Sequence, residues 1–328
     1  MEQGIIHFRD VENLFKEING IKGAIYITDK NVYHFYKQYF DDDNTILVKG
    51  GESSKSLSVV SDVCDILLSK GANRNTFIVG IGGGVITDLT GFIASIFMRG
   101  VKFGFVSTTL LGMVDASIGG KNGVNLGGYK NIIGNINKPE FIYWSDAFLK
   151  TLPREELYNG MGEVAKYAVG FDQRLFKILY DLDIDNSNLS NMIAMCQYTK
   201  VDIVNQDLRE TGIRKLLNLG HTIAHAIEKG TGFSIKHGQA VMIGLKEIAR
   251  YSHEHYGLSS DQLEEINYVI DKYLTEKYDE SLIRDVIGYV DVDKKSCGDN
   301  KLDLIVVDRI GHCKIANTDL DDLKSFFK

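Results

Sequence analysis

The first 145 residues alternate short apolar segments with a helical pattern, and this alternation restricts the fold more than any other feature. Residues 56–71 repeat apolar side chains at intervals of three and four and end at Gly71, as an amphipathic helix does. Strands that alternate with helices predict a mostly parallel sheet covered by helices. The predicted strands are GAIYITD (23–29), TILVKG (45–50), FIVGIGG (77–83), KFGFVSTT (102–109) and FIYWS (141–145).

Helical periodicity dominates after about residue 150. The exception is KLDLIVVDRIGHCKIAN (301–317), which predicts a small hairpin. We therefore predict two domains: an α/β N-terminal domain over 1–148, Rossmann-like with a mostly parallel sheet, and a mainly α-helical C-terminal domain over 149–328. The predicted helices of the second half lie within 151–171, 188–206, 220–230, 238–257 and 260–274.

Charge and cysteine usage narrow the class of protein. The net charge of −7 disfavours nucleic-acid binding, which needs a basic face. MEQGIIHFRD lacks the regions of a signal peptide, and no run approaches the ~18 apolar residues of a membrane span, so we expect neither secretion nor membrane insertion. The cysteines have no CxxC spacing, which favours a reducing, cytoplasmic compartment. They are Cys64, Cys196, Cys297 and Cys313.

A glycine-rich turn, GIGGGV (80–85), joins a predicted strand to a predicted helix. Consecutive glycines let a backbone approach a diphosphate closely, and a helix N-terminus offers free N–H groups and positive potential. The spacing is not the GxGxxG of the usual dinucleotide fold. The turn therefore indicates either a phosphate site or only a tightly packed connection, and Asp88 in the first helical turn either complements the helix dipole or fixes a cofactor.

The segment 107–135 is rich in small and polar residues and has no apolar periodicity, so we expect no core element there. Lys121 and Lys130 lie among its glycines. An open backbone and mobile ammonium groups suit an anion. The alternative is an exposed polar loop.

Three histidines lie close together in the helical half. His221 and His225 occupy positions i and i+4 of one predicted helix and so share a face, and His237 follows after a short interval. A catalytic zinc commonly takes three nitrogen or oxygen ligands from the protein. The carboxylate of such a site would be Glu163 or Glu228, and ordinary packing of the three rings is the alternative.

Glu163 stands among apolar and small residues, in GMGEVAKYAV. An acid is unusual there unless it is paired or coordinates a metal. Lys166 lies one helical turn further on, so a plain ion pair between the two residues is the alternative to a metal ligand.

Several segments, taken together, resemble the 3-dehydroquinate synthase family of sugar phosphate cyclases. They follow the family's order from about residue 50 to residue 297, which is most of the chain. The resemblance implies the family's two-domain fold, NAD held by the N-terminal domain, one divalent metal (usually zinc, with cobalt as the other choice) and a homodimer. The matching segments are GESSKSL, GGGVITDLTGF, MRG, STTLLGMVDASIGGKNGVN, GGYKNIIG, FLKTLPREEL, GEVAKY, RETGIRKLLNLGHTIAHAIE, HGQAV and DKK.

Carried over position by position, the resemblance assigns the metal to Glu163, His221 and His237 and places His225 near the substrate phosphate. Arg99 resembles an arginine contributed across a dimer interface. The implied NAD contacts are Asp29, Glu52, Lys55, Gly83, Gly84, Asp88, Thr108, Thr109, Lys121, Lys130, Phe148 and Thr151. The implied substrate and catalytic positions are Asp115, Lys121, Lys130, Asn131, Lys166, Lys200, Arg214, Asn218 and one of Lys294 and Lys295. Two positions depart from the family's usual pattern, with Thr87 in place of glycine and Asn122 in place of threonine.

The resemblance also implies a reaction of the shikimate pathway. The sugar acid phosphate 3-deoxy-D-arabino-heptulosonate 7-phosphate is converted to 3-dehydroquinate and phosphate by metal-assisted alcohol oxidation, phosphate elimination, reduction and intramolecular aldol closure. A sister cyclase, a 2-deoxy-scyllo-inosose or valiolone-type synthase, would take a substrate without the carboxylate, and Arg214 and Asp115 favour the dehydroquinate interpretation. An oxidoreductase of the glycerol dehydrogenase type and a non-catalytic binding protein are the remaining alternatives.

Overall fold

The computed structural model describes residues 4–291 and 300–327. Contacts within the chain divide it into two compact units, one that ends at Leu157 and one that begins at Tyr158. The division falls inside a helix that spans Arg154–Gly170. Lys294 and Lys295, both proposed from the resemblance, lie outside the described residues.

The first unit is built on a six-stranded sheet. Its strand order is β1-β8-β5-β4-β2-β3, and every neighbouring pair is parallel. The predicted parallel sheet is thus confirmed. The elements are β1 (Gly4–His7), α1 (Val11–Asn19), β2 (Ala24–Asp29), α2 (Lys30–Tyr36), β3 (Thr45–Val48), α3 (Leu57–Ser69), β4 (Phe77–Gly82), α4 (Gly84–Ile96), β5 (Lys102–Ser107), β6 (Lys121–Leu126), β7 (Tyr129–Ile136) and β8 (Phe141–Trp144).

Two strands at the centre of the sheet carry the core of this unit. Ile78, Val79 and Ile81 of β4 are fully buried, as is Val106 of β5. Consecutive residues of both strands are buried, and parallel strands that are buried on both faces are continuously apolar rather than alternating. That is why their sequences predicted strands so clearly.

The expectation that 107–135 contributes nothing to the core was wrong. Its first part forms a single π-helical turn, Gly112–Ala116, in which Met113 and Val114 are fully buried. Its second part is the antiparallel hairpin of β6 and β7. A π-turn and a short hairpin have neither the 3.6-residue nor a long two-residue period, so a search for periodicity overlooks them.

The described residues of the second unit, 158–291 and 300–327, are mainly helical and include one hairpin. The hairpin of β9 (Lys301–Arg309) and β10 (His312–Asp319) confirms the prediction for 301–317. Within the two ranges that the structure describes, no helix is both long and apolar enough to cross a bilayer. The helices are α5 (Arg154–Gly170), α6 (Gln173–Asp181), α7 (Ser190–Gln206), α8 (His221–Gly230), α9 (His237–Tyr256), α10 (Ser260–Tyr273), α11 (Glu280–Val286) and α12 (Leu320–Phe327).

Candidate active site

Three predicted metal ligands meet in the second unit. Glu163 projects from the middle of α5, while His221 and His237 are the first residues of α8 and α9. The Nε2 atoms of His237 and His221 lie 3.1 Å and 3.4 Å from the same atom, Oε1 of Glu163. One nitrogen or oxygen of each residue lies within 4.8 Å of the others, the geometry of a three-residue metal site.

Glycines next to the ligands allow the three helices to approach this closely. Gly162 precedes Glu163 and Gly238 follows His237, and a Cβ on Gly162 would stand 2.0 Å from the carbonyl oxygen of Gly238. A Cβ on Gly244 of α9 would stand 2.2 Å from the carbonyl oxygen of Gly220, the residue before His221. No side chain fits at such distances, so the backbones pack directly against each other and bring the side chains together.

Each histidine presents Nε2 to the centre of the site because its Nδ1 faces an acceptor. His221 Nδ1 lies 3.1 Å from the carbonyl oxygen of Leu219, which can only accept, so Nδ1 carries the proton. His237 Nδ1 lies 3.4 Å from Oε1 of Glu228. Metal-ligating histidines have this arrangement, with the distal ring nitrogen donating to a carbonyl or a carboxylate.

The charges around the site also suit a cation. Burial would raise the pKa of Glu163, but Lys166, whose Nζ is 2.5 Å from Oε2, and His221 outweigh burial and hold the pKa well below its ordinary value. Burial would lower the pKa of His237, but hydrogen bonds to Glu163 and Glu228 raise it to about 10. His237 is therefore in its positively charged form when no metal is bound. A divalent cation fits the donor set by replacing the proton on Nε2.

His225 stands beside this group but not in it. Its ring centroid lies 5.5 Å from that of His221 and 6.3 Å from that of His237. The three-residue group of Glu163, His221 and His237 does not include it. The i and i+4 spacing of the two histidines therefore brings their rings together without making both of them ligands.

The second unit also contains buried cations and a polar loop among its predicted substrate residues. Lys166, Lys200 and Arg214 are each at most 6% exposed. Arg214 lies in the 3₁₀ segment Ile213–Asn218, and its Nη1 donates to the carbonyl oxygen of Leu208 at 2.6 Å. A buried guanidinium is suited to a carboxylate or a phosphate.

In the first unit, the residues that the resemblance assigns to NAD, apart from Lys121 and Lys130, lie at or after the carboxyl ends of the parallel strands. This edge of an α/β sheet is where nucleotides bind. Gly83 and Gly84 follow β4 and begin α4, so the N-terminus of α4 lies at the same edge. By strand, the residues are Asp29 on β2, Glu52 and Lys55 after β3, Gly83, Gly84 and Asp88 after β4, Thr108 and Thr109 after β5, and Phe148 and Thr151 after β8.

The glycines of this turn also serve close packing. A Cβ on Gly82 would lie 2.7 Å from the side chain of Ile86, and a Cβ on Gly83 would lie 2.8 Å from Cγ2 of Thr109. The two interpretations of the glycine-rich turn are therefore compatible, because the same glycines pack β4 tightly and leave the start of α4 without side chains.

Lys55 links predicted nucleotide and substrate positions. Its Nζ donates to Oδ2 of Asp88 at 2.6 Å and to Oδ1 of Asn131 at 2.5 Å. Burial would lower the pKa of Lys55, but Asp88 and Glu52 raise it, so the buried ammonium stays charged. Asn131 on β7 has a positive φ of 53° and its backbone N–H donates to Oδ1 of Asn125.

Three further predicted residues of the first unit lie on the β6–β7 hairpin or in the turn that precedes it, and a fourth, Arg99, lies elsewhere. Lys121 begins β6, Lys130 lies on β7, and Asp115 lies in the π-turn before the hairpin. Arg99 is exposed, and it has a φ of 70° in the turn between α4 and β5.

Comparison with known proteins identifies the family. The family model described as 3-dehydroquinate synthase N-terminal matches residues 45–159, and the one described as 3-dehydroquinate synthase C-terminal matches residues 160–296. The chain belongs to the 3-dehydroquinate synthase family. It is therefore an enzyme, a carbon–oxygen lyase of the shikimate pathway.

Two 3-dehydroquinate synthases illustrate the similarity. The protein of Pyrococcus abyssi is 45% identical over 223 residues, which are 67% of this chain and 67% of that protein. The protein of Saccharolobus solfataricus is 38% identical over 317 residues, which are 92% of this chain and 87% of that protein.

Solved structures of two other cyclases share the fold. A 2-deoxy-scyllo-inosose synthase complexed with carbaglucose-6-phosphate, NAD⁺ and Co²⁺ has a TM-score of 0.84 and 23% identity, over 98% of this chain and 95% of that one. A 2-epi-5-epi-valiolone synthase from Streptomyces hygroscopicus subsp. jinggangensis with NAD⁺ and Zn²⁺ bound has a TM-score of 0.85 and 21% identity, over 100% and 97%. At this identity the likeness shows a shared fold.

The two residues that depart from the usual pattern of the 3-dehydroquinate synthase family, Thr87 and Asn122, are both buried in the first unit. Thr87 is fully buried, and its hydroxyl donates to the carbonyl oxygen of Gly84 at 3.1 Å within the first turn of α4. Asn122 is also buried and donates to the carbonyl oxygens of Gly120 and Asn137, which closes the base of the β6–β7 hairpin. Neither substitution removes a charged or metal-ligating group.

Two acids beside the predicted substrate residues, Glu210 and Asp207, were not predicted from the sequence of this 3-dehydroquinate synthase family member. Glu210 accepts a hydrogen bond from Nδ2 of Asn218 at 2.6 Å. Asp207 accepts hydrogen bonds from the backbone N–H groups of Gly212 at 2.7 Å and Arg214 at 3.1 Å. The stretch DLRETG contains the turn residues Asp, Thr and Gly, and this was the available sign of a structured loop.

Proposed function

We propose that the enzyme converts 3-deoxy-D-arabino-heptulosonate 7-phosphate to 3-dehydroquinate and phosphate, with a divalent metal held by Glu163, His221 and His237. The observation that carries the proposal is the approach of both Nε2 atoms to Oε1 of Glu163, at 3.1 Å and 3.4 Å. Two nitrogen donors and one carboxylate favour zinc, and cobalt suits the same donors. A divalent ion held by these residues would supply Lewis-acid polarisation of adjacent substrate hydroxyl groups.

The ligands and their neighbours hold the substrate's hydroxyl groups in place. Lys166 is 2% exposed and lies beside Glu163, so it keeps the carboxylate ionised and ready to coordinate. The buried position of Glu163 excludes water from one side of the site. With a metal ion bound, these residues would suit a negatively charged substrate group.

We assign the substrate carboxylate to Arg214 and Lys200. Arg214 donates from Nη1 to the carbonyl oxygen of Leu208, which orients its side chain, and a planar guanidinium suits a carboxylate because the two groups can form parallel hydrogen bonds. Lys200 adds a second buried positive charge. This pair distinguishes a sugar acid phosphate from a sugar phosphate without a carboxylate.

We assign the substrate phosphate to Asn218 and His225 of the second unit. His225 is exposed and its ring lies next to that of His221, so it can donate to an anion without displacing a metal ligand. Asn218 Nδ2 is held by Glu210 and is oriented before substrate binds. Lys121, Lys130, Asn131 and Asp115 of the first unit are further proposed contacts of the substrate or the nucleotide.

NAD is proposed to bind the first unit at the carboxyl edge of its parallel sheet, where it would supply a reversible hydride acceptor. The glycine turn leaves room for the diphosphate at the N-terminus of α4, which offers positive potential. The first unit is assigned to NAD and the second to metal and substrate. In solution the enzyme is proposed to be a cytoplasmic homodimer, in which the exposed Arg99 of each protomer reaches its partner.

Three substrates tested with the purified, NAD-loaded enzyme distinguish the candidate functions. We expect phosphate release from 3-deoxy-D-arabino-heptulosonate 7-phosphate, no turnover of a hexose 6-phosphate that lacks the carboxylate, and no oxidation of glycerol. NADH absorbance should not accumulate during turnover, because the hydride returns to the product. Turnover of the hexose phosphate alone would indicate a sister cyclase, and steady NADH formation from glycerol would indicate an oxidoreductase.

A further inference from the structure

Glu228 is a buried acid on the same helix as His221. It is 2% exposed and lies seven residues after His221, which is two turns of α8 and therefore the same face. This face is turned towards the start of α9. A single helix thus carries one metal ligand and, two turns later, a carboxylate next to the other histidine.

The carboxylate of Glu228 lies behind His237 rather than in the metal site. Its Oε1 is 3.4 Å from Nδ1 of His237, while Nε2 of the same ring is 3.1 Å from Glu163. The ring therefore stands between the two acids. Glu228 is not in the group whose ligand atoms lie within 4.8 Å of one another. Of the two acids that the sequence offered as the metal-binding carboxylate, the structure therefore favours Glu163.

We propose that Glu228 is a positioning residue that orients His237 and increases the affinity of that ring for the metal. An ionised carboxylate can only accept, so it fixes the proton on Nδ1 and leaves the Nε2 lone pair for the cation. Its negative charge also makes the ring a better electron donor. The inference rests on the metal site of the proposed function.

The Nδ1 atoms of His221 and His237 face different acceptors, so the proposed role of Glu228 is specific to His237. His221 Nδ1 faces a neutral carbonyl oxygen, that of Leu219. His237 Nδ1 faces a full negative charge. His237 is also the more exposed ligand, at 31% of its side chain against 11% for His221, so it has less packing to hold its ring.

The test measures zinc affinity by competition with a chelator of known affinity, using the full-length Glu228→Gln variant and the wild type. Glutamine keeps the shape of the side chain and removes the charge. Loss of such a supporting partner typically weakens metal binding by about 10-fold to 100-fold, and we expect a loss in this range. The visible absorption spectrum of the cobalt-loaded variant should also change, because the ring that coordinates the ion is reoriented.

A matched control is Glu247→Gln. Glu247 is also a buried acid, 7% exposed, and it lies on α9, the helix that begins with His237. Its carboxylate accepts hydrogen bonds from Arg250 and Tyr278 and not from a metal ligand. This variant should bind zinc as the wild type does and leave the cobalt spectrum unchanged. A second variant, Glu228→Asp, keeps the charge but withdraws it by one methylene, and we expect it to bind zinc more weakly as well.

The outcomes separate the inference from the function on which it rests. If both Glu228 variants match the wild type in zinc affinity and in cobalt spectrum, the inference is overturned and the metal site stands. If Glu228→Gln does not fold, a zinc affinity of Glu228→Asp equal to that of the wild type is enough to overturn the inference. A wild-type protein that binds no zinc would instead overturn the metal site, and the inference with it.

Discussion

Gly238 and Asn159 bring α9 and α5 into direct contact beside two predicted metal ligands. The backbone N–H of Gly238 donates to Oδ1 of Asn159 at 2.7 Å, and a Cβ on Gly238 would lie 1.7 Å from the carbonyl oxygen of Asn159. Because His237 precedes Gly238 and Glu163 lies one turn after Asn159, this contact sets the distance between the two ligands. The absence of a side chain at 238 is thus a requirement of the site.

Gly238→Ala should destabilise the protein and weaken metal binding. Overpacking of this kind costs about 1–3 kcal/mol, and the better helix propensity of alanine offsets only about 1 kcal/mol. Chemical unfolding and zinc affinity of the variant check this. Gly288→Ala is the control, because no heavy atom lies within 4 Å of a Cβ at that position. Equal stability and zinc affinity in both variants would contradict the proposed role of the contact.

His221→Ala should abolish metal retention, whereas His225→Ala should retain the metal and lose substrate affinity. The reason is geometric, since Nε2 of His221 faces Glu163 and His225 lies outside the ligand group. Metal analysis of the two purified variants decides between the histidines. Retention by His221→Ala together with loss from His225→Ala would reverse the assignment.

Arg214→Lys should weaken substrate binding while NAD binding stays near normal. Hydrogen bonds to charged groups contribute about 1.5–3 kcal/mol, so loss of one of two parallel bonds should raise the dissociation constant by about 10-fold to 100-fold. Titration of the variant with substrate and with NAD measures both, and normal NAD binding shows that the variant is folded. Unchanged affinity for both ligands would remove Arg214 from the carboxylate site.

Asp207 should make stability depend on pH in the acid range. Desolvation would raise the pKa of Asp207, but hydrogen bonds from the backbone N–H groups of Gly212, Thr211 and Arg214 lower it. A carboxyl whose folded pKa lies below its unfolded value of about 3.9 stabilises the protein above that pH and loses its contribution as pH falls.

The variant that tests this is Asp207→Asn. Its free energy of unfolding should be lower than that of the wild type at neutral pH, and the difference should shrink as pH falls below about 4. Urea unfolding of both proteins at a series of pH values provides the measurement. A difference that stays constant, or grows towards acid pH, would show that the carboxylate does not support the loop.

Apolar segments in the sequence were sufficient to predict most of the first unit's sheet. Buried parallel strands such as β4 and β5 are continuously apolar, and little else produces that pattern. β1 was missed because its four residues, GIIH, carry too short a signal. The π-turn at Gly112–Ala116 was missed because it follows no regular period.

The family resemblance predicted Glu163, His221 and His237 as one group, and the structure brings these three residues together. The residue pattern alone left other choices open. The i and i+4 spacing put His221 and His225 on one face equally, and Glu163 and Glu228 were equivalent as acids. Which of them meet depends on the close contacts at Gly162 and Gly220, and these follow from tertiary packing. Spacing along one helix cannot predict contacts between helices.

The most direct test of the metal-dependent cyclase is phosphate release from 3-deoxy-D-arabino-heptulosonate 7-phosphate before and after metal removal with a chelator. We expect stripped wild-type enzyme to release no phosphate and to regain activity when zinc or cobalt is added, whereas His221→Ala regains none. Full phosphate release by metal-free wild-type enzyme, or by His221→Ala, would contradict the account.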